Sequence, residues 1–237
     1  MENRRFNVQQ NQGAYSSSQT GTGISADAMK VLRNTYALLA MTLMFSAVTA
    51  GISMAIGLSH GVGIVCMLIS LGLIWLVLPK TANSPAGIGV VFAFTGLLGL
   101  SLGPILSHYL AFSGGGTIVM QALGGTALVF LSLSGYVLTT KKDFSFMRSF
   151  LFAGMVVVIL AMVGGLIAGM MGANVSVLHL ALSAAIVLLM SGFMLYDTSR
   201  IVNGGETNYI MATTGLYLSI YNMFTSLLHL LGVFGDD

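Results

Sequence analysis

The sequence predicts an all-α integral membrane protein, a bundle of seven transmembrane helices, on three observations. Of its 237 residues, 56% are hydrophobic and only 7% charged, with a mean hydropathy of +0.91, far more apolar than a soluble domain. The apolar residues fall into seven runs, each near the roughly 20 residues a helix needs to cross a hydrocarbon core about 30 Å thick. The runs are continuous, not alternating, which favours helices over a barrel.

Taken in order, the chain opens on a different kind of segment. Residues 1–28, "MENRRFNVQQNQGAYSSSQTGTGISADA", are rich in Gln, Asn, Ser and Gly and carry no apolar periodicity. Such a segment buries too little surface to offset its ordering entropy, so it reads as a flexible cytoplasmic tail, with residues 29–237 as the transmembrane domain. Its Arg-bearing start runs straight into polar residues, unlike a cleaved signal peptide. The spans are expected at 34–58, 61–79, 86–110, 117–139, 147–171, 176–198 and 209–232. Short connectors of Gly, Ser, Asn and Pro join them, too small for a soluble domain. Cys66, the single cysteine, lies inside the second span and says nothing of redox compartment.

Charge sets the expected orientation. Arg4, Arg5, Lys30 and Arg33 precede span one, Lys80 follows two, Lys141, Lys142 and Arg148 flank the four-to-five connector, and Arg200 follows six. All nine basic residues thus fall on one side, which the positive-inside rule makes cytoplasmic, with Asp236 and Asp237 outside. Six spans with a C-terminal re-entrant hairpin accommodate the same residues, because the last segment carries no Lys or Arg. His60, His108, His179 and His229 all fall near the opposite ends of spans. Histidine titrates near pH 6.5, so a cluster there could sense external pH, but polar residues tolerated at a water interface explain them better, and no pair has ligand spacing on one helix face.

Thirty glycines exceed what the connectors use. Ala47 with Gly51, Gly99 with Gly103, Gly165 with Gly169 and Ala181 with Ala185 have the small-xxx-small spacing that lets helix backbones approach closely in lipid. Pro104, beside Gly103 in "GLLGLSLGPIL", removes a helical hydrogen bond and marks the point where span three is expected to kink or break. "GLSLG" also matches the G-x-S-x-G pattern, and His229 could supply a base as in an intramembrane serine protease. That elbow depends on a strand-turn-helix context absent here, and chance matches are expected in so glycine-rich a chain. No enzyme activity is expected.

The polar residues of spans six and seven are the candidates for a site. An ionisable group at mid-bilayer costs about 2.5–3.5 kcal/mol on insertion scales and is retained for a reason. Asp197, in "SGFMLYDTSR", is the acidic residue that borders a span. It reads either as a solvated group pairing with Arg200 three residues on, or as an interior partner for span seven. In "ATTGLYLSIYNMFTSLLHLLG", Ser219, Asn222 and Ser226 recur at helical spacing with Tyr217 and Tyr221 nearby, a polar stripe expected to bond across helices at about 1 kcal/mol or less per bond. Asp197, Ser219, Asn222 and Arg200 are the cavity or gate candidates, and Gly103 and Pro104 the helix-break candidates.

Residues Ser191 to Gly232, through "GGETNYI…A…LY…S.YN.F.SLL..LG", together with "LGLSLGP" in span three, resemble the Bax inhibitor-1 family, in particular its bacterial YccA-type branch, modulators of the membrane AAA protease FtsH. The resemblance implies a seven-helix fold with the last helix central. In channel-like members it implies a pH-sensitive calcium leak closed by two hydrogen-bonded aspartates. Asp197 in "LYDT" matches the first, and the second falls on Ser219, where the channel-like pattern has aspartate. Two close carboxylates share a proton and so form a pH switch, whereas Asp197 with Ser219 has one titrating group. Channel-like members also place a basic residue in helix two, and none occurs here between Arg33 and Lys80.

The expected function is therefore that of a bacterial inner-membrane regulator. It would bind FtsH and its associated membrane proteins, be itself a slow substrate, and modulate proteolysis of membrane proteins. The alternative is a calcium or proton leak pathway with an incomplete aspartate dyad. The lipid bilayer is an expected partner; nucleic acid, cofactors and metals are not.

Overall fold

The structure, a computed structural model, describes residues 24–234, and the tail expected over 1–28 lies almost wholly outside the described residues. Seven helices are long and apolar enough to cross a membrane: α1 Ala26–Ala55, α2 His60–Thr81, α3 Ala86–Leu110, α4 Gly115–Thr140, α5 Ser145–Met170, α6 Ser176–Val202 and α7 Tyr209–Phe234. No strand occurs among the described residues.

Span three has the expected bounds, whereas α1 begins eight residues before the expected 34. The reason is local: Ser25 caps the helix, its Oγ accepting from the Ala28 amide at 3.2 Å. At 30 residues α1 is about 45 Å long, so it overreaches the hydrocarbon core and carries Lys30 and Arg33 outside it.

Prolines produce the irregularities. Pro79 has no N–H for the carbonyl one turn back, and the helix widens just before it: Leu73–Val77 are π-helical, the Leu78 amide reaching the Leu73 carbonyl. Of the kink or break expected at Gly103 and Pro104, the break does not occur, since α3 runs unbroken through both to Leu110. The Leu100 carbonyl that Pro104 leaves without its amide instead accepts the Ser53 hydroxyl of α1 at 2.7 Å. Gly103 makes this possible, because a Cβ there would overlap Ser53. Gly99, one turn earlier, likewise admits Thr49 and the Ser46 backbone, where any side chain would collide. Of the expected small-residue pairs, this one seats α1 on α3; a Cβ on Gly51 would meet nothing within 4 Å.

α7 is the central element. It contacts α1, α3, α4 and α6, and Leu216, Tyr217, Met223 and Leu228 are buried along its length. α2 packs on α3, and α5 packs on α6. Buried apolar side chains fill the space on both sides of α7: Phe94, Leu98, Ile201 and Leu216 towards the Lys/Arg-bearing end, Leu151, Leu189 and Met194 between α5 and α6, and Leu102, Ala122 and Phe224 towards the other end. The helices' outer faces, such as Leu160 and Leu166 of α5, stay apolar and exposed, as a lipid-facing surface requires.

Candidate functional site

The polar chemistry concentrates on α7 and on the helices it touches. From its first turns outward, the Thr213 hydroxyl donates to the Thr35 carbonyl at 3.3 Å, the Tyr217 and Ser46 hydroxyls bond at 2.7 Å with Tyr217 also donating to the Thr95 carbonyl at 3.3 Å, and the Tyr221 and Ser101 hydroxyls bond at 2.9 Å. Residues 213, 217 and 221 are one turn apart and so line one helix face. This face ties α7 to α1 and α3. It differs from the stripe expected from the sequence: the Asn222 amide turns back to the Leu218 carbonyl at 2.8 Å, and among the described residues Ser219 and Ser226 make no cross-helix bond although both are buried. The missed partners sit in α1 and α3: the Ser46 and Ser101 hydroxyls and the Thr35 and Thr95 carbonyls, Ser46 belonging to a run in α1, Thr35, Thr42, Ser46, Thr49 and Ser53, that recurs at helical spacing. That periodicity was the available signal.

Asp197 lies near the end of α6, half-buried, in a pocket of about 230 Å³ with Arg200, Glu206, Thr214, Gly215 and Leu218. Arg200 does not close on Asp197. Its guanidinium forms an ion pair with Glu206 at 3.1 Å, donates to the Gly205 carbonyl at 3.1 Å and lies over the Tyr196 ring. The i,i+3 pair is thus replaced by a clasp within the α6–α7 connector. Glu206 in turn accepts from the Asn208 amide, and the Asn208 side chain donates to Ala82 and Asn83 before α3 while capping α7. The residue facing Asp197 is Gly215, where a Cβ would stand 2.8 Å from Asp197 Oδ2. Ser219 is one turn further along, and no hydrogen bond joins it to Asp197 among the described residues. The site thus consists of one carboxylate facing a glycine, with a clasped arginine at the rim.

The serine-protease pattern does not assemble. Ser101 bonds to Tyr221 and to the Leu98 carbonyl, while His229 Nδ1 bonds to Ser183 Oγ at 3.1 Å. Of the four histidines, His179 and His229 share one cavity, whereas His108 packs edge-on against Tyr109 and Phe112.

The family model for inhibitors of apoptosis-promoting Bax1 matches residues 28–236. This chain belongs to the Bax inhibitor-1 family. Within it, the chain is 51% identical to the Escherichia coli K12 modulator of FtsH protease YccA, over 88% of this chain and 92% of that one. It is equally, 51%, identical to a membrane protein of Vibrio cholerae over 88% of this chain and 91% of the other, and 47% identical to a Pseudomonas aeruginosa protein over 87% and 90%. As a Bax inhibitor-1 protein of the bacterial type it is a multi-pass inner-membrane protein, and its kinship is to a protease modulator, not to an enzyme.

Proposed function

We propose that this chain modulates the membrane protease FtsH in the inner membrane, binding it and its associated membrane proteins and acting as a slowly processed substrate. The observation that carries the reading is the 51% identity to a relative named a modulator of FtsH protease. The packing supports the slow step. A protease that pulls on one end must separate α7 from its neighbours, and five side-chain bonds cross that boundary inside the bundle. At about 0.6–1 kcal/mol each these resist extraction by ~3–5 kcal/mol beyond packing. Residues 1–28 serve as the cytoplasmic handle, and the basic residues put the N-terminus inside and the C-terminus in the periplasm. Deleting residues 1–20 is expected to abolish degradation by FtsH in membranes containing both proteins; turnover equal to that of the intact chain would overturn the role of the tail.

A second reading has its own observation, the pocket of about 230 Å³ at Asp197, which fits a site for calcium or protons with Ser219 and Asn222 deeper along α7. Against it stands the glycine opposite Asp197. Ion flux in proteoliposomes separates the two: flux lost on Asp197→Asn supports the leak, and flux no greater than that of empty vesicles removes it.

A further inference from the structure

The two histidines brought together by α6 and α7 belong to neither reading. They stand at one end of a cavity of about 740 Å³ between α5 and α6, larger than the Asp197 pocket and open along the exposed Met162, Leu166 and Met170 of α5. Among the described residues α5 packs on no membrane-spanning helix but α6, so these two helices form most of the cavity wall, joined by Val175 just before α6 and by His229 of α7.

The cavity is polar at one end and apolar at the other. His179 lies in the first turn of α6, and His229 about one and a half turns before the end of α7. Both therefore sit at the depth of the headgroup boundary. From there Leu182 and Ile186 of α6 and Met162 and Leu166 of α5 continue the walls, Ile186 being about 10 Å deeper than His179. A polar end at the interface with an apolar slot running into the bilayer has the shape and polarity of a lipid-like molecule.

The donor set indicates the head. Ser183 Oγ engages His229 Nδ1 at 3.1 Å, which leaves His229 Nε2 as the nitrogen available to the cavity. The imidazoles of His179 and His229 line the same cavity. A ring N–H on each can donate to an acceptor oxygen placed between them. The seven Lys and Arg residues among the described residues lie near or beyond the opposite ends of the helices, so an acidic head on this face would meet imidazoles and none of those seven cations. A metal ion fits less well, because among the described residues no third His, Cys, Asp or Glu stands with the pair.

We propose that the cavity between α5 and α6 binds an amphiphile whose acidic head, a carboxylate or phosphate, is held by His179, Ser183 and His229, with its hydrocarbon chain lying between the two helices. The test uses the full chain in lipid nanodiscs with two photoactivatable probes, a diazirine palmitic acid and a diazirine phosphatidylglycerol. At least one is expected to label peptides of α5 and α6, and labelling should fall about tenfold in the His179→Gln/His229→Gln protein, as for two hydrogen bonds lost together. Gly169→Leu keeps both histidines and fills the cavity, a Cβ there meeting only Val175 at 3.7 Å, and should lower labelling to the same degree. Loss of the palmitate signal identifies a free acid, and loss confined to phosphatidylglycerol identifies a phospholipid head. Labelling by both probes that is unchanged in both variants means that only annular lipid touches this face and overturns the proposal.

Discussion

At the residue scale the clearest constraint is the approach of Gly215 to Asp197. With 2.8 Å between the carboxylate and the position of a Cβ, Gly215→Ala must displace the Asp197 side chain. Overpacking of this kind costs typically 1–3 kcal/mol, and a lowered thermal midpoint in detergent is expected; an unchanged midpoint would show that the carboxylate moves aside freely. Outside the membrane, Asp143 accepts from the Ser145 hydroxyl and amide, and these bonds, the Ser145 hydroxyl foremost, hold its carboxyl below the ordinary value. A depressed carboxylate adds stability that is present above about pH 4 and lost as the pH falls through its folded value. Ser145→Ala should move the Asp143 titration upward, read by NMR of the labelled carboxyl; no movement would deny the hydroxyl that role. Asp197 itself was legible as an exceptional charge in an apolar chain. Its glycine neighbour was not, since Gly215 differs in no sequence property from the many other glycines.

At the element scale the junction of α1 with α3 shows how a proline is accommodated inside a span. The Leu100 carbonyl freed by Pro104 takes the Ser53 hydroxyl, so no buried acceptor is left open and the helix need not break. Ser53→Ala is therefore expected to destabilise by about 1–2 kcal/mol. In that background Pro104→Ala restores an amide for Leu100 and should recover most of the loss. A double-mutant cycle of unfolding in detergent checks this, and additive effects would show that the two groups do not share the carbonyl. The proline and the adjacent glycine were legible in the sequence, which predicted a kink or a break there. The compensating serine is 47 residues away, and no local pattern pairs the two.

For the whole molecule the question is how the last helix is held. Tyr217 and Tyr221 fasten α7 to α1 and α3, so the Tyr217→Phe/Tyr221→Phe protein should lose about 1–3 kcal/mol. If extraction by FtsH is limited by opening of the bundle, its degradation should become several-fold faster. Turnover unchanged despite a measured loss of stability would place the slow step elsewhere. Seven apolar lengths were legible because bilayer thickness dictates run length, and the central place of the last helix was implied by the family resemblance, with which a polar stripe that cannot face lipid agrees. Which hydroxyls of that stripe bond across helices was not legible, since Tyr217 and Tyr221 find their partners through the rotation of α7 against α1.

By itself, then, the sequence determined what the bilayer acts on directly: seven apolar lengths and the gathering of Lys and Arg at one end of them, with the family legible in residues 191–232. The tertiary structure alone decided which polar groups meet. It put Gly215 and not Ser219 opposite Asp197, turned Arg200 to Glu206, and placed His179 and His229 in the lining of one cavity. The physical reason is that span length and charge are one-dimensional quantities read by lipid. Hydrogen bonds and close contacts depend on the rotation and offset of packed helices, which only the sum of all their contacts sets.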